Sequence, residues 1–344
     1  MAIKMEEYLI SVIMPIYNSE NQLSRTINSI IKQSIGFDNI ELILVDDKST
    51  DDSSKVMKEY ELKYDNIITL FLDKNSGRPG YVRNKGIDIA TADYVMFIDS
   101  DDEYETNMCE KLYKTITENN GDCVSCDFRG FDSITNNKIE NIEENEEIIK
   151  LDIINGLYDI DFYIWNKIYR KSIINKNNIR FETDGVGEDT FFCIEYFIHS
   201  ENLIYLKNYC GYKYYDVDES YSTTNLKWNL EVIEHYHKSI NILNENNIQI
   251  DLSRFSSPSI NYSILATIKL QDGNWKSISK ILTELYNFEK RVKFNNKDCN
   301  IFLIKYVNLF VVTNHISMAT FITLILNKIH NSKFLVKTYR KVRN

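Results

Sequence analysis

The stretch of sequence that decides the fold is residues 94–102, which read YVMFIDSDD. Tyr94–Ile98 is apolar without alternation, the pattern of a parallel strand that is covered by helices on both faces of a sheet. The polar run 99–102 follows it directly. Ligands of a doubly wound sheet bind beyond the carboxyl ends of its strands, so this run lies where chemistry is expected.

Three further strand-and-helix units precede this strand. Helices are predicted to begin at Ser19, where Gln22 completes a capping box, over residues 52–64, and at Pro79. Repeated units of this kind build a doubly wound α/β sheet. The three predicted strands are Ile10–Ile16, Ile40–Val45 and Ile67–Leu72.

Each of the four predicted strands leads into polar residues. Four such clusters in series are a stronger signal than a single Asp-rich turn, because Asp is common in turns. Asp99 and Asp101 offer the hard oxygen ligands that Mg²⁺ or Mn²⁺ prefers, although a capping turn explains the same run. The clusters, in strand order, are Pro15, Tyr17 and Asn18; Asp46 and Asp47; Asn75, Gly77 and Arg83; and Asp99, Ser100 and Asp101.

The rest of the chain changes character twice. Residues 121–221 are predicted to be irregular, and their acidic stretch Glu140–Glu147 is interpreted as a solvated loop or helix face. Beyond residue 225 the pattern is one of long helices with few turn residues. We therefore predict an α/β domain over 1–224 and a helical C-terminal region over 225–344.

Charge is unevenly distributed along the 344 residues. The formal net charge is −10, yet residues 299–344 hold seven Lys and Arg and no Asp or Glu. Such a segment is typical of a surface that meets a polyanion or anionic lipid, and equally of a solvated helix end. Apolar residues from Phe310 to Ile322 also allow an oligomer interface there.

No targeting or membrane-spanning segment is expected from the sequence. The start of the chain lacks the apolar core of a secretory signal, and Ile301–Leu326 is interrupted by polar residues. The six cysteines lie mostly in apolar runs, as reduced thiols do, and Cys123 and Cys126 lack a second ligand pair for zinc. We expect a cytoplasmic protein, or one that is peripheral at the inner face of the cell membrane.

The ordered motifs resemble those of one enzyme family. SVIMPIYN, ELILVDDKSTDDS, NSGRPGYVRNKGID and YVMFIDSDD look like the N-terminal half of family 2 glycosyltransferases with the GT-A fold. Downstream, IWNKIYR at 164–170 resembles the W-x-K segment, and GEDTFF at 187–192 resembles the E-D motif. The likeness covers about residues 8–222. The likeness implies a GT-A fold with a Rossmann-like, doubly wound mixed sheet. Within the family, the chain resembles enzymes that build bacterial capsule, teichoic acid and other cell-surface polysaccharides.

The resemblance assigns a role to each candidate residue. It implies an inverting transfer from a nucleotide-diphosphate sugar, most often a UDP-sugar, to a hydroxyl of a glycan, polyol-phosphate or lipid-linked acceptor, with no nucleic-acid partner. Asp189 matches the catalytic base with Glu188 beside it, and a helix start at the same pair is compatible with this role because it would hold Asp189 in place. Trp165 and Lys167 match the acceptor side. Asp101 would hold Mn²⁺ or Mg²⁺ with Asp99, and the donor would contact Pro15, Tyr17, Asn18, Asp46, Asp47, Asn75, Gly77, Arg83, Asp99 and Ser100.

One segment departs from the family pattern. Relatives often carry an arginine after a tyrosine-rich strand, whereas residues 214–220 here read YYDVDES. Either another cation, such as Lys213, replaces that arginine at the diphosphate, or this loop serves the acceptor.

Two other classes of protein are weighed against this reading. A haloacid-dehalogenase-like phosphotransferase also places D-x-D after a buried strand, but it does so on the first strand rather than the fourth. A non-catalytic module for sugar nucleotides or glycans predicts the loss of a motif residue. Asp47, Asp99, Asp101 and Asp189 are all present, so an enzyme is favoured.

Overall fold

The computed structural model describes residues 8–132, 145–183, 187–216, 226–270, 273–292, 307, 309–311 and 313–331. The chain divides into two units. Met1–Asp184 and Glu188–Val217 form the first, and Gly185–Gly187 and Asp218–Asn344 form the second. The boundary at residue 225 that we inferred from the sequence stays a prediction.

The first part of unit one is a parallel sheet with intervening helices. Strand β1 lies between β2 and β4, and β3 lies outside β2, all in parallel register. The side chains of β2 and nearly all of those of β1 are buried, as their continuous apolar sequence predicts. The elements are β1 (Ile10–Ile16), α1 (Leu23–Ile31), β2 (Ile40–Asp46), α2 (Ser53–Glu61), β3 (Ile67–Phe71), α3 (Pro79–Ile89) and β4 (Tyr94–Phe97).

The second part of unit one makes the sheet mixed. Strand β8 pairs antiparallel with both β4 and β6, and the described strands run in the order β3-β2-β1-β4-β8-β6-β9-β5, with β7 on β9. This confirms the predicted doubly wound mixed α/β class. The elements are β5 (Glu103–Tyr104), α4 (Met108–Glu118), β6 (Cys123–Asp132), β7 (Glu147–Leu151), α5 (Ile153–Asp159), β8 (Lys167–Arg170), α6 (Lys171–Lys176), α7 (Glu188–Ile198) and β9 (Leu203–Asp216).

The prediction that residues 121–221 are irregular is wrong. Strands β6 and β9 form a long parallel ladder there, with a register shift at Cys126 and Asp127. Polar residues and glycines interrupt the apolar pattern of both strands, so pairing within the sheet rather than local periodicity defines them. Glu147, the end of the acidic stretch, begins β7, and residues 140–144 lie outside the described part of the chain.

Helix α1 begins later than its predicted capping box. Gln22 takes the N-cap position without a side-chain cap hydrogen bond. The Ser19 hydroxyl instead lies 2.6 Å from the Ser100 hydroxyl and 3.3 Å from the Tyr17 carbonyl, to which it donates. Ser19 therefore links the loops after β1 and β4 rather than capping a helix, and the capping-box prediction is wrong.

The second unit is helical in its described part, as predicted. Its helices are α8 (Leu226–Glu245), α9 (Leu252–Lys269), α10 (Trp275–Val292) and α11 (Ile316–Asn331). Asp251 begins α9 by accepting hydrogen bonds from the amides of Ser253 and Arg254. Among the described helices, none combines the length and apolarity needed to cross a bilayer. The basic side chains of 299–344, which we predicted to form a surface for a polyanion or anionic lipid, lie outside the part of the chain that the structure describes.

Candidate active site

The loops after β1 and β2 are tied to each other at the carboxyl edge of the sheet. The Asn18 amide donates to the Ser49 hydroxyl at 3.0 Å, and the Asn18 side-chain oxygen accepts from the Thr50 amide at 2.8 Å. Asn18 has a φ of 50°, a conformation that Asn tolerates better than most residues. Tyr17 is 50% exposed beside it, and Pro15 is partly exposed. Both residues remain accessible at the edge where a ligand is expected.

Asp47 is held by the loop between β3 and α3. One carboxylate oxygen accepts from the Ser76 amide at 2.7 Å, and the other accepts from the Ser76 hydroxyl at 2.9 Å and the Gly77 amide at 3.2 Å. Asn75 donates to the Asp47 carbonyl at 2.8 Å. A carboxylate offers about four acceptor positions, so these contacts leave one for a ligand N–H group.

Asp46 closes the turn after β2. It is buried and accepts from the Ser49 amide at 3.1 Å and from the Ser54 hydroxyl at 3.1 Å. These partners are local and neutral. Asp46 therefore fixes the turn that leads into Asp47, and its contact with the donor stays a prediction.

The loop after β4 has a different environment. Ser100 is fixed by Ser19 and by the Thr26 hydroxyl, which donates to the Ser100 carbonyl at 2.9 Å. Burial, followed by repulsion from Asp99, raises the pKa of Asp101 from 3.8 to about 6. Asp102 is fully buried and accepts from the Tyr212 hydroxyl at 2.6 Å and the Tyr215 amide at 2.8 Å. Asp102 thus holds β9 in place, while Asp99 and Asp101 stay at the edge.

Two close approaches set the position of helix α3. A Cβ on Gly86 would lie 2.3 Å from Cγ2 of Ile13, and one on Gly80 would lie 2.7 Å from the Glu182 carbonyl oxygen. Glycine at both positions lets α3 pack directly on β1 and on the segment before α7. Arg83 lies midway between these glycines and therefore projects from a helix that is fixed on both sides.

Arg83 joins the two halves of the candidate site. Its guanidinium is buried and contacts Asp99 at 2.7 Å, Asp189 at 3.1 Å and Glu188 at 3.5 Å. Burial alone lowers the pKa of Arg83, but Asp189, Asp99 and Glu188 outweigh it and raise that pKa above its ordinary range. Arg83 therefore remains a cation that holds Asp99 with Nη2 and Asp189 with Nη1.

Asp189 lies in the first turn of α7, directly after Glu188. Burial raises its pKa above the ordinary value of 3.8; Arg83 opposes this, while Glu188 and Asp99 add to it. Its side chain is still 27% exposed. A carboxylate that is accessible and has a raised pKa is suited to accept a proton.

The two predicted acceptor-side residues are both buried. Trp165 stacks against Tyr212 at 4.1 Å and against Tyr163 at 4.7 Å. The Lys167 ammonium is fully buried and donates to Asp161 at 2.7 Å, to Asn166 at 2.7 Å and to the Tyr163 carbonyl at 2.6 Å. These three contacts use all of its N–H donors. Lys167 thus fixes the segment 161–166 by these hydrogen bonds. Its contact with an acceptor stays a prediction.

Sequence reasoning missed three residues at this edge. Ser76 supplies two of the three hydrogen bonds that hold Asp47, and Asp102 anchors β9. Arg25 on α1 donates to the Asp101 carbonyl and stacks on Tyr215. Arg25 is far from Asp101 in sequence and carries no motif, so its place could be found only from the tertiary structure. Lys213, the suggested substitute cation, pairs with Glu105 at 3.3 Å.

The carboxylates at this edge fit a divalent cation that takes most of its ligands from a substrate. The described residues contain no group of three or more His, Cys, Asp or Glu that could hold a metal ion by itself. Repulsion between Asp99 and Asp101 is nevertheless what a bound cation relieves. The donor set therefore suits Mg²⁺ or Mn²⁺ with phosphate and water as its other ligands.

Comparison with known sequences identifies the family of this chain. Residues 11–183 match the model of "Glycosyl transferase family 2". The chain is 34% identical over 239 residues to poly(ribitol-phosphate) beta-N-acetylglucosaminyltransferase TarP of Staphylococcus aureus, an alignment covering 67% of this chain and 70% of that protein.

A second relative and a solved structure agree with this match. The chain is 30% identical to a poly(ribitol-phosphate) beta-glucosyltransferase of Bacillus spizizenii over 59% of its length, but it spans only 32% of that protein. Its fold matches S. aureus TarS 1-349 in complex with UDP-GlcNAc with a TM-score of 0.68 at 20% identity, covering 92% of this chain and 90% of that one. The chain belongs to glycosyl transferase family 2.

Proposed function

We propose that this glycosyltransferase moves a sugar from a UDP-sugar to a hydroxyl of a polyol-phosphate or other cell-surface glycan, with inversion at the sugar carbon. The observation that carries the proposal is the contact of one buried arginine, Arg83, with Asp99 at 2.7 Å and Asp189 at 3.1 Å. It joins the predicted donor carboxylate to the predicted base. Family membership also sets aside the haloacid-dehalogenase alternative, which requires D-x-D on the first strand.

The donor's base is proposed to bind between the β1 loop and Asp47. The Asp47 carboxylate has one acceptor position left, which suits the imide N–H of uracil, and Tyr17 is exposed nearby. Support comes from the fold neighbour TarS, which was solved with UDP-GlcNAc. Asn18, Asn75 and Gly77 then act by shaping the loops around the nucleotide.

The diphosphate is proposed to lie over the loop after β4. Asp101, with Asp99, would hold Mn²⁺ or Mg²⁺, which when bound neutralises the charge that develops on the departing diphosphate. Ser100, held by Ser19 and Thr26, fixes the backbone between these two carboxylates. Arg83 contacts Asp99 at 2.7 Å and orients its carboxylate.

Asp189 is proposed to take the proton of the acceptor hydroxyl. General base catalysis contributes on the order of 10²–10⁴-fold to a rate, and a base works best when its pKa is near the working pH. Burial raises the pKa of Asp189 toward the working pH. Arg83 fixes the Asp189 side chain, which stays partly exposed to solvent. Glu188 contributes negative charge beside it. Inversion needs no enzyme nucleophile, and none is assigned.

The acceptor is proposed to be a polyol phosphate or a related glycan. Both named relatives are poly(ribitol-phosphate) transferases. The stack of Tyr163, Trp165 and Tyr212 would support the acceptor side from beneath, with Lys167 holding its loop. A lipid-linked acceptor stays a prediction.

The cytoplasmic location also stays a prediction, and so do contacts of residues 299–344 with a membrane, a polyanion or a second copy of the chain. Helix α11 exposes Met318, Phe321 and Ile325, which share one helical face.

Calorimetric titration with UDP and UDP-sugars, with and without Mn²⁺, tests the proposed function. We expect metal-dependent UDP binding that is lost in Asp101→Ala and kept in Asp189→Asn. Asp88→Asn, which removes an exposed carboxylate paired with Arg180, is the matched control and should bind like the wild type. A folded protein that binds no nucleotide would contradict the proposal. Binding without sugar transfer to any acceptor would favour the non-catalytic module.

A further inference from the structure

The candidate site gathers several carboxylates around one enclosed arginine, Arg83. Five carboxylates lie at or beside it, while Arg83 is the cation that contacts three of them directly. Because a UDP donor adds the charge of two phosphates, a second cation near Asp101 would lower the electrostatic cost of binding it. The five carboxylates are Asp99, Asp101, Asp102, Glu188 and Asp189.

Arg25 is fixed directly beside Asp101. Its Nη2 donates to the Asp101 carbonyl at 2.5 Å, and its Nε lies 3.1 Å from Glu103. The guanidinium carbon lies 4.0 Å from the centre of the Tyr215 ring. Three contacts from two segments of the chain hold the group in one orientation, which lowers the entropy lost when it binds a ligand.

The Arg25 guanidinium keeps unused donors. A guanidinium has five N–H groups, and its partners among the described residues engage only Nε and Nη2. The side chain is 41% exposed. Its ion pair with Glu103 is worth little at such exposure, and Glu103 also accepts from the Tyr215 hydroxyl at 2.9 Å. Arg25 can therefore turn an N–H edge toward an anion while Glu103 keeps a partner.

The other described cations near this loop are paired with carboxylates and are less exposed than Arg25. Lys213 pairs with Glu105 at 3.3 Å, and Arg83 is enclosed by three carboxylates. The segment that follows Tyr215 is acidic in sequence, with Asp216, Asp218 and Glu219. No cation is supplied by that stretch of sequence, so Arg25 on α1 is the group placed to supply one.

We propose that Arg25 binds the diphosphate of the UDP donor and of the UDP product, beside the cation site at Asp101. The inference rests on the proposed function, since it needs a nucleoside diphosphate at this edge. Its planar fork matches two phosphate oxygens, which a lysine at the same place would not.

Titration of uridine, UMP and UDP in the presence of Mn²⁺ tests the assignment, using the wild type, Arg25→Gln and Arg25→Lys. We expect Arg25→Gln to weaken UDP binding by about 10- to 100-fold, as the loss of a charge-assisted hydrogen bond does, and to leave uridine binding unchanged. Arg25→Lys should retain part of the UDP affinity. Glu103→Gln, the matched control, removes the competing carboxylate and should bind UDP at least as tightly as the wild type.

The outcomes separate this inference from the proposed function. Equal UDP affinity in Arg25→Gln and the wild type would overturn the role of Arg25 and leave the proposed function intact. A parallel loss of uridine and UDP affinity would also overturn it, because it would show that Arg25 only supports the loop. If the wild type bound no UDP at all, the proposed function would fail, and the inference with it.

Discussion

Two acidic loops lie at the same edge of the sheet and are built in opposite ways. After β2, neutral partners hold Asp46 and Asp47: backbone amides and the hydroxyls of Ser54 and Ser76. After β4, Asp101 lies close enough to Asp99 for mutual repulsion, and burial with that repulsion raises the pKa of Asp101 to about 6. Neutral donors hold the carboxylates of the first loop, whereas in the second loop Arg83 pairs with Asp99 and Asp101 is left under repulsion from Asp99.

The difference indicates what each loop can recognise. A carboxylate whose oxygens are mostly hydrogen-bonded by a rigid loop has a fixed direction for its last acceptor position, which suits one N–H group of a base. Neighbouring carboxylates with few donors are instead stabilised by a cation. Recognition of the base and binding of the metal are thus separated along one edge, and substitutions in the two loops should have different consequences.

The largest effect is expected at the charged loop. Asp101→Asn should lower metal-dependent sugar transfer on the order of 10³-fold, because the loss of several kcal/mol of charge stabilisation at the leaving group has that size. Initial rates across a Mn²⁺ titration measure it, with Asp88→Asn as the control. If the initial rate of Asp101→Asn depended on Mn²⁺ as that of the wild type does, the proposed division between a metal-binding loop and a base-binding loop would be contradicted.

The second effect is on the dependence of the rate on pH. A base must be ionised to accept a proton, and burial raises the pKa of Asp189 above 3.8. The rate should therefore fall as the pH drops through that raised pKa, by about tenfold per unit, with a midpoint nearer to neutrality than to 3.8. Single-turnover rates under saturating donor report it. A rate that stays flat down to pH 4 would remove Asp189 from the role of base.

A smaller effect is expected at the hydrogen-bonded loop. Asp47→Asn places an amide group against the donors of Ser76 and Gly77, so it should weaken uridine binding by about tenfold. This loss should be the same with and without Mn²⁺, unlike that of Asp101→Asn. Titration of uridine under both conditions measures it, and a metal-dependent loss would show that the two loops do not act separately.

The smallest effect is expected for Ser76→Ala. This change removes one hydroxyl donor to Asp47 and keeps both backbone amides, so uridine affinity should fall only a few-fold. Thr69→Ala, whose hydroxyl bonds the exposed Glu61, serves as the control. A loss as large as that in Asp47→Asn would mean that the hydroxyl, rather than the loop backbone, orients the carboxylate.

The sequence predicted the parallel strands and the clusters that follow them, because continuous apolar runs report burial on both faces. Observed β1 spans the residues predicted for it, and β2 ends one residue later than predicted. The full extent of strands β6 and β9 could not be found in this way, since it depends on pairing between distant segments. Arg25 could not be predicted for a similar reason, because its contact with Asp101 joins residues that are distant in sequence.

Lys167 shows the other limit of sequence reasoning. Its motif marked it as an acceptor-side cation, but the structure uses all three of its donors inside the protein. A residue type and a spacing can identify a family position, whereas burial decides whether that side chain can reach a ligand. Asp102 illustrates the same point, because it stands beside Asp101 in sequence and yet serves β9.

The central claim is that Asp189 acts as the base of an inverting transfer. The most direct test is sugar transfer from UDP-GlcNAc to synthetic poly(ribitol phosphate), with the anomeric configuration of the product determined by proton NMR in the wild type and in Asp189→Asn. We predict a β-linked product from the α-linked donor, with a rate that falls about 10²–10⁴-fold in Asp189→Asn while UDP binding is kept. An α-linked product, or an Asp189→Asn enzyme as fast as the wild type, would contradict the claim.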